Sequence, residues 1–221
     1  ITFRKARRSR GNVSTWLPIG HGSKFELPVA VVVSDIIGST TRRNNTVLVE
    51  PPGLDVAVKN VTNHISTILA LKAQGRVDSA IALLFSASEV LNFVFNSTTP
   101  LDTYAQSAAS ARSSLISIAT GLASSYVRDP ETAEGVMACT HSLSRQARAS
   151  LTSADQNVLL NQVAIISNIS AETFGRASQV TAQCGIETVA NLIQSGMLER
   201  SHKTSGRRQL LTGLRDVAAT L

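Results

Sequence analysis

The period of the apolar positions changes at residues 51–53. Upstream, "LPVAVVV" at 27–33 is a continuous β-branched run, and Val47 and Val49 alternate with polar neighbours before Pro51. Both segments read as strands, joined by turn chemistry from Ser34 to Asn45. The expectation is a β-hairpin within residues 25–52. Two strands alone are marginal in water, so the hairpin is expected to be the edge of an Ig/FnIII-like β-sandwich whose other strands lie upstream or in a neighbouring chain. "EPPGL" then ends the ladder, because the prolines fix φ and lack a donor while Gly53 frees the turn. It is read as a domain boundary, an ordinary loop inside one mixed domain being the alternative.

Downstream the spacing is helical almost to Leu221. Val58, Val61, Ile65, Ile68 and Leu69 form one stripe; Val77, Ile81, Leu84, Leu91 and Phe95 form a second after a break at Gly75. Thr99, Pro100 and Asp102 signal a helix start, followed by an Ala/Ser-rich helix with Tyr104, Ala108, Ala111, Leu115, Ile118, Leu122 and Tyr126 inward. Asp129 and Pro130 open the next helix, carrying Val136, Met137, Leu143 and Ala147. Ser153 with Gln156 opens another, carrying Leu159, Val163, Ile166 and Phe174. Gly185 is read as punctuation, with a helix from Ile186 to about Leu198 and one more beginning at "QLLTGLRDVAATL". Short connections imply antiparallel neighbours. The fold class expected is mainly α: an antiparallel helical bundle over 53–221, preceded by the hairpin of 25–52 and a basic irregular segment over 1–24.

Composition refines this. Aromatics make up 4% of the 221 residues while Ala, Ser and Thr abound, which points to close helix contacts through small side chains. The formal charge of +6 sits at the ends: Arg4, Lys5, Arg7, Arg8 and Arg10 at one, Arg200, Lys203, Arg207 and Arg208 at the other. No aromatic stacking platform accompanies either cluster, so solvated charge is preferred to phosphate or glycan binding. Residue 1 is Ile and the first twenty residues lack a signal-peptide core, so the chain is expected to be a piece of something longer. No apolar run is read as reaching the roughly 20 residues that span a bilayer.

Candidate chemistry is sparse. Sequons occur at Asn12, Asn44, Asn60, Asn96 and Asn168. Asn44 is placed in the hairpin turn, Asn96 at a helix end, and Asn168 opposite Val163 and Ile166 at about 100° per residue, so these point to solvent. Glycan attachment is preferred to unused sequons. Cys139 and Cys184 are the only cysteines; an even count permits one disulfide between helices, with two buried thiols as the alternative, and the disulfide is preferred because it agrees with the sequons. No ligand spacing supports zinc. His21, His64, His141 and His202 are scattered singly, and no P-loop, GxGxxG, HExxH or GxSxG is present, so neither enzyme chemistry nor a cofactor is expected.

"VAVVVSDIIGST", "VLVEPP" and "QGRVDSAIALLFSASEVLN" together resemble the stretch of polycystin-like and receptor-for-egg-jelly (REJ) proteins where the last β-sandwich passes into the helical subdomain of a GAIN-like domain. Val33, Asp35, Gly38, Gly75, Asp78, Ala80, Ala87, Leu91 and Asn92 occupy the recurring places, and the likeness covers about residues 25–125. The resemblance implies a large extracellular, cell-surface or ciliary protein in which such modules act as adhesive spacers, with other extracellular domains as partners. Membrane attachment would come only through other parts of that protein, and nucleic acid is not expected. The Cys-containing cleavage region and His-Leu-Thr/Ser triplet of a GAIN domain are not found in the chain, so self-cleavage is not assigned to it. The alternative function is an intracellular helical scaffold with a basic, nucleic-acid- or anion-binding N-terminus.

Overall fold

Strands β1 (Glu26–Ser34) and β2 (Thr40–Leu48) pair antiparallel in the computed structural model. It describes residues 16–20, 22, 24–34, 37, 39–98, 103–145, 151–175 and 177–195. Glu26 faces Leu48 and Ser34 faces Thr40, so the turn is shorter than the expected Ser34–Asn45 and Asn44 lies within β2. The polar stretch Thr40–Asn45 extends because it meets solvent on both faces and therefore incurs no desolvation cost, while its backbone satisfies the apolar strand opposite. The sheet has two strands; the wider sandwich is not among the described residues.

Only the base of the hairpin is docked. Leu27 is buried, and Val29 and Val47 are half-buried. Gly20 N–H donates to Val49 O at 3.0 Å, and Val49 N–H to Phe25 O at 3.0 Å. Trp16 packs on the helical core, and Ser86 Oγ donates to Leu17 O at 2.9 Å, fixing the extended segment 16–20 against the second helix.

Six helices follow among the described residues: α1 (Leu54–Ala73), α2 (Val77–Ser97), α3 (Thr103–Tyr126), α4 (Pro130–Ser144), α5 (Ser153–Phe174) and α6 (Gln179–Gln194). Helix α2 touches α1, α3 and α4; α4 in turn touches α5 and α6, and α5 lies on α3 and α6. Ile68, Leu84, Leu91, Leu115, Leu122 and Val163 are fully buried, and Ala80, Ala87, Ala108 and Ala119 separate them. Alanine at those positions lets helix axes approach closely, as the composition implies.

Several boundaries and faces differ from the sequence reading. Leu69 is 49% exposed and Leu71 is buried in its place. Tyr104, at the first turn of α3, is also exposed. Thr152, not Ser153, caps α5: its hydroxyl accepts from Asp155 N–H at 3.1 Å and Asp155 Oδ2 accepts from Thr152 N–H at 3.3 Å. Gly185 lies inside α6, where a Cβ would meet Met137 Cε and Val163 Cγ1 at 3.6 Å each. The glycine that ends a helix is Gly175, at φ 73°, closing α5 by donating to Ala171 O. Asp129 caps α4 through Thr132 N–H at 2.8 Å, as expected. The Thr99–Asp102 start signal, Ala147 and the helix expected beyond residue 208 lie outside the described residues.

Helix α2 is long and apolar enough to cross a membrane by length and composition, contrary to the expectation that no segment would be. More than half of its apolar window is packed inside the protein. It packs between α1, α3 and α4.

Candidate functional site

Among the described residues, a large concentration of polar chemistry lies at the C-terminal end of α4, where α2, α3 and α6 converge. Ser88, Glu89, Asn92 and Phe95 share a face of α2 by their three- and four-residue spacings; Ser142 lies in the last turn of α4, and Arg145, the extended residue just past its end, donates its N–H to Ser142 O. Arg112 enters from the middle of α3, in line with Ala108 and Leu115. Its side chain is fully buried.

Arg112 Nη2 donates to Asn92 Oδ1 at 2.7 Å and Nη1 to Arg145 O at 2.7 Å. Its guanidinium lies 4.2 Å from the centre of the Phe95 ring, a cation–π contact. Burial lowers Arg112 from its ordinary value to about 9, with Glu89 holding it up and Arg145 pushing it down. It therefore stays charged at neutral pH.

Glu89 supplies the counter-charge. Arg145 Nη1 donates to its Oε1 and Oε2 at 3.1 and 3.0 Å, and Ser142 Oγ donates to Oε1 at 2.6 Å. Asn92 Nδ2 donates to Ser142 O at 3.0 Å and to Glu89 Oε1 at 3.3 Å. Ser88 and Ser142 hydroxyls are 2.6 Å apart. Asn191 Nδ2 donates to Ser144 Oγ at 3.0 Å, which ties α6 to the end of α4. Buried polar atoms thus answer one another across four helices.

This arrangement does not make a nucleophile. Ser142 donates directly to a carboxylate, and the neighbouring imidazole of His141 is engaged elsewhere, its Nε2 lying 3.3 Å from Glu187 Oε2. Burial lowers His141, partly offset by Glu187. That pairing supplies the orienting carboxylate which the local sequence around His141 lacks, but among the described residues no serine or thiol is hydrogen-bonded to the ring. Among the described residues no group of three or more His, Cys, Asp or Glu side chains could hold a metal ion.

The expected site residues are not gathered. Asn44 sits on β2, Asn60 on α1, Asn96 at the end of α2 and Asn168 on α5, all exposed. Asn44 Oδ1 accepts from Arg42 Nε at 2.9 Å. Asn12, His21 and His202 lie outside the described residues. Cys139 and Cys184 lie on the packed helices α4 and α6, but both are free thiols, so the expected disulfide is not formed here. Cys139 Sγ instead lies 3.6 Å from Ile81 O as a weak donor. Burial pushes its thiol up, with the Cys184 sulfur adding to the effect.

Sequence reasoning missed Glu89, Arg112, Ser142 and Arg145. One signal for Arg112 was legible: it falls on the inward stripe between Ala108 and Leu115, where a surface arginine does not belong. Asn92 was singled out by resemblance, without the role it plays between Arg112 and Ser142. Comparison with protein-family models, curated proteins and solved structures finds no match to the chain.

Proposed function

We propose that the chain is a non-enzymatic structural module of a large extracellular protein, cell-surface or ciliary and polycystin-like in kind. Its helical bundle acts as a glycan-bearing spacer, and its hairpin is completed by further strands, as at the edge of an Ig/FnIII-like sandwich. The supporting observation is the exposure of Asn44, Asn60, Asn96 and Asn168 on four different elements. On helices whose opposite faces are buried, each sequon asparagine falls on the outer side, where a glycan is accommodated without unpacking the core. The polar cluster around Arg112 fits the same reading, since its members bind one another rather than converging on an open site.

The test is the intact mass of native material before and after enzymatic removal of N-glycans. Loss of whole glycans, reduced stepwise by Asn44→Gln, Asn60→Gln, Asn96→Gln and Asn168→Gln, supports an extracellular module. An unchanged mass overturns the compartment, and salt-sensitive nucleic-acid binding lost on deleting residues 1–10 would then favour the intracellular scaffold.

A further inference from the structure

The outer half of the hairpin is uncovered: Val31, Val32 and Val33 are 59%, 58% and 63% exposed, although residues 27–33 form its most apolar run. The Val49 N–H to Phe25 O bond fixes the phase of the ladder. With Phe25 and Val49 as hydrogen-bonded partners, residues 27, 29, 31 and 33 bond to β2, and the backbone groups of Ala30, Val32 and Ser34 point away from it. Pro28 falls in the same outward set, so its missing N–H costs the ladder nothing.

The two edges differ in charge. No charged side chain lies between residues 27 and 34 of β1, whereas β2 carries Arg42 and Arg43 and no acid. Charge on an edge strand keeps other strands away; an apolar, uncharged edge invites them. Two copies of β2 would set four arginines along one seam. A β1 edge against a β2 edge of another copy would leave one edge of each kind open and grow without closing. Only β1 against β1 is both free of charge repulsion and closed.

We infer that β1 pairs with β1 of a second copy, antiparallel about a two-fold axis at Val32, giving a four-stranded sheet. Val32 then faces its own copy, Ala30 faces Ser34, and Val31 faces Val33. The last pairing places Val31 and Val33 of both copies on one face as a continuous apolar patch. This names the strands that complete the sheet in the proposed function, and it does not depend on glycans. Loss of the glycan result leaves it standing, and a monomer leaves the glycan result standing.

Sedimentation velocity on the full chain across a wide concentration range tests it. Wild-type protein is expected to form a reversible dimer. Val32→Pro removes an N–H that makes no bond to β2, and Val32→Lys sets two ammonium groups at the axis; both are expected to be monomeric with an intact helical circular-dichroism signal. Arg42→Pro, which removes an outward N–H of β2, is expected to leave the dimer unchanged. A wild-type protein that is monomeric at every concentration overturns the inference, as does a dimer that survives both Val32 variants. Open-ended polymers, or a dimer lost in Arg42→Pro, overturn the two-fold β1 pairing in favour of a β1–β2 contact.

Discussion

Arg112 is fully buried, and Asn92, the Arg145 carbonyl and the Phe95 ring replace part of its hydration, with Glu89 as counter-charge. Removing one member of such a set costs more than the set contributes as a whole, because the remaining charge is left buried without its counterpart. Arg112→Ala is expected to destabilise by about 3 to 5 kcal/mol. Glu89→Gln is expected to cost nearly as much, since Arg112 and Arg145 then face each other with no anion between them. The double variant Arg112→Met, Glu89→Gln should cost less than the sum of the singles, with a coupling of about 1 to 3 kcal/mol in urea denaturation. Strict additivity would mean that the two charges do not interact through this cluster. Gln162 offers a contrast: it is fully buried with both amide atoms unpartnered, so polarity in this core is not always repaid by hydrogen bonds.

Helix limits depend on single residues. Thr152 and Ser153 are adjacent hydroxyl residues, and a sequence rule that wants Glu or Gln three positions on selects Ser153 with Gln156. The structure selects Thr152 with Asp155, because a shorter acid in the same place closes the reciprocal pair. Thr152→Ala is expected to cost about 1 kcal/mol, while Ser153→Ala changes stability by a few tenths. The reverse order in thermal or urea unfolding would return the cap to Ser153. The two glycines teach a related lesson: Gly185 resembles a breaker in one dimension, yet it sits where α6 passes close to Met137 and Val163, and Gly175 supplies the positive φ. Periodicity recovered Leu115, Leu122, Val163 and Ile166 as inward residues because apolar burial repeats along a helix. It misplaced Leu69 and Tyr104 because they sit at stripe edges, where the neighbouring helix decides burial. The Arg112 cluster was scarcely legible, since its members come from four helices and no local spacing relates Glu89 to Ser142 or Arg145.

At the scale of the whole molecule, the bundle is expected to be acid-sensitive through two half-buried histidines. His64 on α1 and His141 on α4 are both held below the ordinary value of 6.5, chiefly by burial. A histidine lowered in the folded state binds fewer protons there than in the unfolded chain. Its stabilising effect is therefore complete above pH 6.5, and it is lost as pH falls through the lower folded value. The melting temperature is expected to fall between about pH 7.5 and about pH 5, and His64→Gln with His141→Gln should flatten that slope. Glu187 opposes the burial effect on His141 by favouring its charged form. Glu187→Gln should push His141 still lower and make the acid side of the profile steeper, because the protonated imidazole then loses its counter-charge while the neutral form loses little. If the double histidine variant keeps the wild-type slope, acid sensitivity lies in the carboxylates of the bundle, and the helix contacts at α1 and α4 do not sense pH in this range.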